Sequence, residues 1–235
     1  MEAAAGTEGR AMRLLLLDTC GVDGSIALAE GGSEGAVPVV VATARLPGRS
    51  SSERLFPELR AMLEGRGWRM EELAAIGVAS GPGSFTGVRV GVTAAKGWCE
   101  GTGVPLVMVS RLAVLAGKAG GTRCALLDAG RGEFFRGRFE EGVAPVEALL
   151  GREAVLREVL AGEERVAVCE EVVRVAFAEL EPVVMEPLEA GDLLGSVVAR
   201  LGRREFDDVA TADANYVRRT DLEMLVRLGR RLEGA

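Results

Sequence analysis

The sequence predicts an α/β protein of mixed sheets flanked by helices, and three observations predict it. Short aliphatic runs bounded by turn residues recur along the chain. The first three follow one another as a meander, and after Leu46 such runs alternate with segments of helical period. The pattern then restarts near Arg123 with a second strand pair followed by helices. Strands that alternate with helices bury their faces in layers, which gives this class.

Each element has a local reason. Met12 to Asp18 (MRLLLLD) is a continuous apolar run closed by the turn cluster Thr19 to Gly24. Its length and that punctuation indicate a buried strand. Ser25 to Glu30 and Val37 to Leu46 read as the next two strands, with Gly31-Gly32-Ser33 as the hairpin signal between them. Leu55, Phe56, Leu59, Met62 and Leu63 fall on one helical face, with Ser50 and Glu53, or Ser52 alone, as a cap. Pro57 removes an interior hydrogen bond, so an irregular first turn or a late start is expected there. Ala74 to Ser80 is a strand, Gly81 to Gly101 a glycine loop and helix, Pro105 to Ser110 a strand and Arg111 to Lys118 a helix.

The stretch Ala119 to Thr122 (AGGT) marks a boundary, dividing the chain into domains of residues 11–118 and 119–235. In the second, Arg123 to Asp128 and Glu133 to Phe139 flank a turn. Helices are expected at Arg152 to Leu160, Glu171 to Leu180, Leu188 to Gly202 and Leu222 to Leu232. Short strands are expected at Val166 to Val168 and Val183 to Met185. The two halves read as related folds, the second shorter and more degenerate, and Met1 to Arg10 as a frayed tail.

Composition narrows the function. The 235 residues are 48% hydrophobic and 27% charged, which is globular. Aromatics are only 4%, so Leu, Val and Ala build the core. The net charge of −7 opposes stand-alone binding of nucleic acid, whose affinity rests on neutralised phosphates. There is no histidine, which removes His-ligated zinc, a Ser-His-Asp triad and a His general base. Cys20, Cys99, Cys124 and Cys169 form no C-x-x-C pair and give no metal site. With no secretory signal and no apolar run longer than a few residues, reduced thiols in a cytoplasm and no membrane partner are expected.

The most informative stretch is Ser80 to Gly91 (SGPGSFTGVRVG). Gly81, Gly83 and Gly87 permit unusual backbone angles, and Thr86 is an expected N-cap. Exposed amides there would hold a phosphate through Gly83, Ser84 and Thr86; a structural turn satisfied by Ser84 and Thr86 is the favoured alternative. The loop lacks the Lys of a Walker loop. Asp18-Thr19, with Gly24-Ser25, is a second candidate for a metal-bound phosphate, against an Asp that bonds its own turn.

The helix that begins near Val88 carries its charge, Arg89, Lys96 and Glu100, on one stripe. Lys96 lies about 20° from Arg89 and Glu100 about 40° the other way around the axis. The remaining surface is apolar almost all round, wider than an ordinary surface helix needs. Either the helix is sandwiched within its own domain, or one face meets the sheet and another meets a second chain. The pattern alone leaves both open.

These residues resemble the TsaB (YeaZ) family. The likeness rests on Leu15-Leu16-Leu17-Asp18-Thr19, on Ser52-Glu53-Arg54-Leu55-Phe56-Pro57, and above all on Gly81 to Gly91, continuing through Ala94-Ala95-Lys96-Gly97 and Val104-Pro105-Leu106. Asp128-Ala129 with Glu133, and Tyr216-Val217-Arg218, extend it into the second half. Ser51, Gly130 and Ala214 stand where the family often has His, Arg and Pro.

The resemblance implies an ASKHA (actin, Hsp70, sugar kinase) fold of two ribonuclease-H-like halves. It implies an accessory subunit with no catalytic and no metal-binding residues of its own, acting in tRNA threonylcarbamoyladenosine modification beside the anticodon. Its partners would be a TsaD-like catalytic subunit, a TsaE-like ATPase, a second copy of itself when alone, and tRNA only through the complex. It favours the second reading of the apolar helix, with Leu55, Leu59, Met62, Val88, Gly91, Val92, Ala95 and Trp98 as partner contacts. No cofactor is implied for the chain itself, with ATP or ADP and magnesium left open at the partner interface. A nucleotide-binding ATPase in its own right, using Asp18 and Thr19, is the alternative.

Overall fold

The computed structural model describes residues 11–31, 37–48, 51–162 and 164–217. The tail Met1 to Arg10, Gly32-Ser33, the cap Ser50, the basic pairs Arg218-Arg219 and Arg230-Arg231, and the helix expected at Leu222 to Leu232 lie outside them.

The first sheet joins β1 (Met12–Asp18), β2 (Gly24–Gly31), β3 (Val39–Leu46), β4 (Ala75–Gly81) and β5 (Leu106–Ser110) in the order β3-β2-β1-β4-β5. The meander pairs antiparallel, while β1–β4 and β4–β5 are parallel. Leu14 to Leu17 are wholly buried, because a central strand is covered on both faces and so reads as an unbroken apolar run. The helices are α1 (Ser51–Arg66), α2 (Phe85–Thr102) and α3 (Arg111–Lys118).

The second sheet joins β6 (Cys124–Gly130), β7 (Glu133–Arg138), β8 (Val146–Gly151), β9 (Val166–Val168) and β10 (Val183–Val184) in the order β10-β9-β6-β7-β8. Here too the first three strands pair antiparallel and the last two join in parallel. Both sheets therefore have the same plan: third strand, second, first, fourth, fifth. The chain is an α/β protein of ASKHA type with two such halves. The second half is the shorter, with α4 (Arg152–Gly162) and α5 (Glu171–Ala176); α6 (Leu194–Gly202) follows it in the chain. The core of the second half gathers Cys124, Leu126, Phe134, Val155, Val159 and Phe177, with the Phe134 and Phe177 rings edge to face at 4.7 Å.

Several details differ from the sequence reading. Helix α1 runs unbroken from Ser51 through Pro57. Pro57 is exposed, so water can satisfy the carbonyl one turn back that loses its donor. Strand β8 was not foreseen, and the expected helices at 171–180 and 188–202 each include a 3-10 turn, Ala178–Leu180 and Ala190–Leu193. Arg136 of β7 is 5% exposed and lies beside Glu158 (3.1 Å) and Glu164 (2.9 Å).

The chain also forms two compact units that do not follow the single cut at 118/119. One runs to Val114 and takes back Leu188–Ala214; the other holds Leu115–Pro187 and continues from Asn215. The reason is packing. Val197 of α6 sits over Gly77 of β4, where a Cβ would lie closer than 3.0 Å to both Val197 and Leu16. Asp207 accepts from the Met108 amide at 2.7 Å and bridges Leu106, so the following segment covers the β5 edge.

The turn between β6 and β7 holds Arg131 at φ +58°, beside Gly132 at +75°. Left-handed backbone disfavours a side chain like Arg, whereas Asn-Gly suits a two-residue hairpin. Arg131→Asn is expected to raise stability by up to about 1 kcal/mol, read as a higher urea midpoint. An unchanged or lower midpoint would contradict this account of the turn.

Candidate functional site: the glycine turn and the helical groove

The β4–α2 connection is built by close approach. Gly83, Gly87 and Gly91 are spaced by four and face the turn that leaves β1. A Cβ at Gly83 would lie closer than 3.0 Å to Cys20, one at Gly87 closer than that to the Thr19 carbonyl oxygen, and one at Gly91 closer than that to Thr19 Oγ1. The Ser84 amide donates to the Cys20 carbonyl (2.8 Å), and Thr19 Oγ1 donates to the Gly87 carbonyl (2.6 Å). The helix starts at Phe85, not near Val88, and its N-cap is Ser84, whose Oγ accepts from the Gly87 amide at 3.3 Å. Thr86, expected as the cap, lies in the first turn and is exposed. Gly103 in left-handed conformation ends the helix.

Asp18 lies at the end of β1 and is 2% exposed. One carboxylate oxygen accepts from the Cys20 amide (2.8 Å) and the other from Arg111 Nε (3.1 Å). The Arg111 guanidinium also donates to the Pro82 carbonyl at 3.4 Å. Burial, and then the Asp18 carboxylate, push the adjacent Cys20 thiol well above its usual pKa, so it remains a neutral packing group. Among the described residues, no cluster of three or more His, Cys, Asp or Glu could hold a metal.

Helix α2 has two apolar faces. Val88, Gly91, Val92, Ala95 and Cys99 are among its buried residues, and Val78 of β4 lies 3.5 Å from where a Cβ on Gly91 would be. On its other side α2 and α1 enclose a groove of about 590 Å³ lined by Leu55, Phe56, Val90, Ala94, Gly97 and Trp98, with Ser52, Arg89 and Thr93 also lining it. Phe56 is 57% exposed and meets the Trp98 ring edge to face at 5.1 Å. Arg89 sits 3.9 Å over the ring of the half-exposed Phe85.

Of the eight residues named for partner contact, Leu55, Leu59, Val88, Gly91, Val92 and Ala95 are covered by their own unit, while Met62 and Trp98 are partly exposed. Leu55 still forms part of the groove floor. The groove also takes in Phe56, Val90, Ala94 and Gly97, which are not among those eight. The wide apolar girth of α2 pointed to a second face without saying which residues form it.

Two mixed sheets of one strand plan, a glycine turn folded against its own chain and an apolar two-helix groove define an α/β protein of ASKHA type. The chain belongs to the TsaB (YeaZ) family. Residues 28–178, more than half the chain, match the family model for TsaD, tRNA N6-adenosine threonylcarbamoyltransferase. The Escherichia coli tRNA threonylcarbamoyladenosine biosynthesis protein TsaB is 34% identical over 134 residues, 55% of each chain. The solved structure of YeaZ from Pseudomonas aeruginosa is 27% identical and superposes with a TM-score of 0.64 over 87% of this chain and 99% of that one. A tRNA N6-adenosine threonylcarbamoyltransferase of Cereibacter sphaeroides is 39% identical over 111 residues, 47% of this chain and 28% of that one. This chain spans about half the length, or less, of the curated relatives it matches. Among the described residues no helix is long and apolar enough to cross a membrane.

Proposed function

We propose that this chain is a non-catalytic partner in the biosynthesis of tRNA threonylcarbamoyladenosine. In this reading the α1–α2 groove seats the equivalent helices of a TsaD-type catalytic chain, and of a second copy when that chain is absent. The single observation that carries it is the groove itself. Phe56 and Trp98 meet there in an apolar cleft, although water disfavours such a surface on a lone molecule. A Trp in an apolar cleft is a frequent anchor of association. The composition supports an accessory role, since the chain has no histidine for acid–base work and its charge of −7 opposes direct tRNA binding. Transfer RNA and a TsaE-type ATPase would meet this chain only within the assembly.

The test is reconstitution of the tRNA modification from a TsaD-type subunit and the remaining components, with and without this chain. Modification that falls at least tenfold on omission, while the chain alone modifies no tRNA, is the expected result. Undiminished modification without it, or modification by this chain alone, would reject the accessory reading.

A further inference from the structure

We infer that the ligand crevice of the first sheet is filled by the chain's own Arg111, so that a magnesium–nucleotide group, which folds of this type accommodate, does not fit here. In an open α/β sheet, ligands bind outside the carboxyl ends of the strands where the connection changes direction. In this sheet that place lies beyond β1 and β4. Asp18 ends β1, and the glycine turn follows β4.

The donor set is already committed. A divalent cation of this kind is held by carboxylate oxygens. Both oxygens of Asp18 are engaged, one by the Cys20 amide and one by Arg111 Nε. The Asp18 and Arg111 side chains are 3% and 6% exposed. The guanidinium reaches the three walls of the crevice. It touches Asp18 on β1, bonds the Pro82 carbonyl of the glycine turn, and lies 3.5 Å from where a Cβ on Gly21 would be. A metal entering beside Asp18 would stand next to a fixed positive charge. The phosphate side is closed as well, since the Ser84 and Gly87 amides are spent within the chain and the 19–20 backbone presses against the glycines.

Arg111 breaks a local rule in order to be there. It is the first residue of α3, at the helix end that repels cations. Conflicts of that kind point to a requirement from elsewhere in the fold, and here the requirement is the Asp18 carboxylate. At the corresponding place in the second sheet the contacts are different. The Glu170 carboxylate, just before α5, accepts from the Asp128 amide, and the Asp128 carboxylate accepts from the Gly130 amide at 2.9 Å.

The experiment is titration calorimetry on the full-length protein with Mg-ATP and with Mn²⁺, together with R111A, D18N and D18N/R111A. Wild type is expected to bind neither probe. R111A, which frees Asp18 and vacates the guanidinium volume, is expected to bind Mn²⁺ at least tenfold more tightly than wild type, and D18N/R111A to lose that gain. Wild-type binding of Mg-ATP that D18N abolishes would overturn the inference, as would a folded R111A with no gain in Mn²⁺ binding. If R111A does not fold, the neutral pair D18N/R111Q decides by circular dichroism. Recovery of the fold supports the pairing, because the loss then came from an abandoned buried charge. No recovery refutes it. These outcomes are independent of whether the groove binds a partner.

Discussion

Gly87→Ala is expected to be among the most destabilising single-methyl changes in the described chain, at about 3–4 kcal/mol in a protein whose total stability is on the order of 5–15 kcal/mol. The added carbon would fall on the Thr19 carbonyl oxygen, which is backbone and cannot rotate away. Relief requires the β1–β2 turn to move. That movement strains the Ser84–Cys20 and Thr19–Gly87 hydrogen bonds together with the buried Asp18–Arg111 pair. Gly91→Ala meets the end of the Thr19 side chain instead, which can turn at the cost of its hydrogen bond, so roughly half that effect is expected. Gly97→Ala meets nothing within 4 Å in the same helix and should stabilise by about 0.5–1 kcal/mol through backbone entropy. Urea unfolding with unchanged slope would order the midpoints as Gly87→Ala, Gly91→Ala, wild type, Gly97→Ala. Equal effects at Gly87 and Gly97 would show that the stripe is not a close-packed seam.

The parts of this fold that were legible are those where one local signal sufficed. Four consecutive buried leucines, a strand–glycine–helix junction and the periodic face of α1 each announce themselves. Helix α3 begins and ends where its sequence pattern says. Strand β8 hid because Val146 to Gly151 (VEALLG) is mostly helix-favouring residues. Its state is set by antiparallel pairing with β7, a partner remote from its own propensity. The return of Leu188–Ala214 to the first unit rests on a missing side chain at Gly77, which reads locally as an ordinary strand glycine. The site was half legible. The glycine motif located the turn, yet Asp18 and Arg111 are 93 residues apart in the chain, and nothing in either neighbourhood names the other. Thr86 was the expected cap, and the Cys20 carbonyl that fixes the Ser84 amide makes Ser84 the cap instead. An all-round apolar helix likewise cannot say which stripe its own sheet will take.

That last ambiguity decides how the groove should be tested. Val92 is 4% exposed beneath α2, so a charge there would damage the fold and say nothing about association. Gly97 is the better probe. It lines the groove, is exposed, and has open space where a side chain would begin. Gly97→Glu should leave the monomer at least as stable, because a helix interior prefers Glu to Gly by several tenths of a kcal/mol. Covered by a partner, however, the same carboxylate would be buried without a counter-charge, at about 3–5 kcal/mol, or roughly 100- to 1000-fold in affinity. Trp98→Ala should weaken capture of a TsaD-type subunit by a comparable factor, since it removes the ring that meets Phe56 and lines the cleft. Exposed Val172 on α5 supplies the control: Val172→Glu places the same charge on a surface of the second unit and should leave capture unchanged. Co-purification and analytical ultracentrifugation, with circular dichroism to confirm the fold, would read all three variants. Capture that survives both groove changes at wild-type strength would move the interface to another face of the molecule.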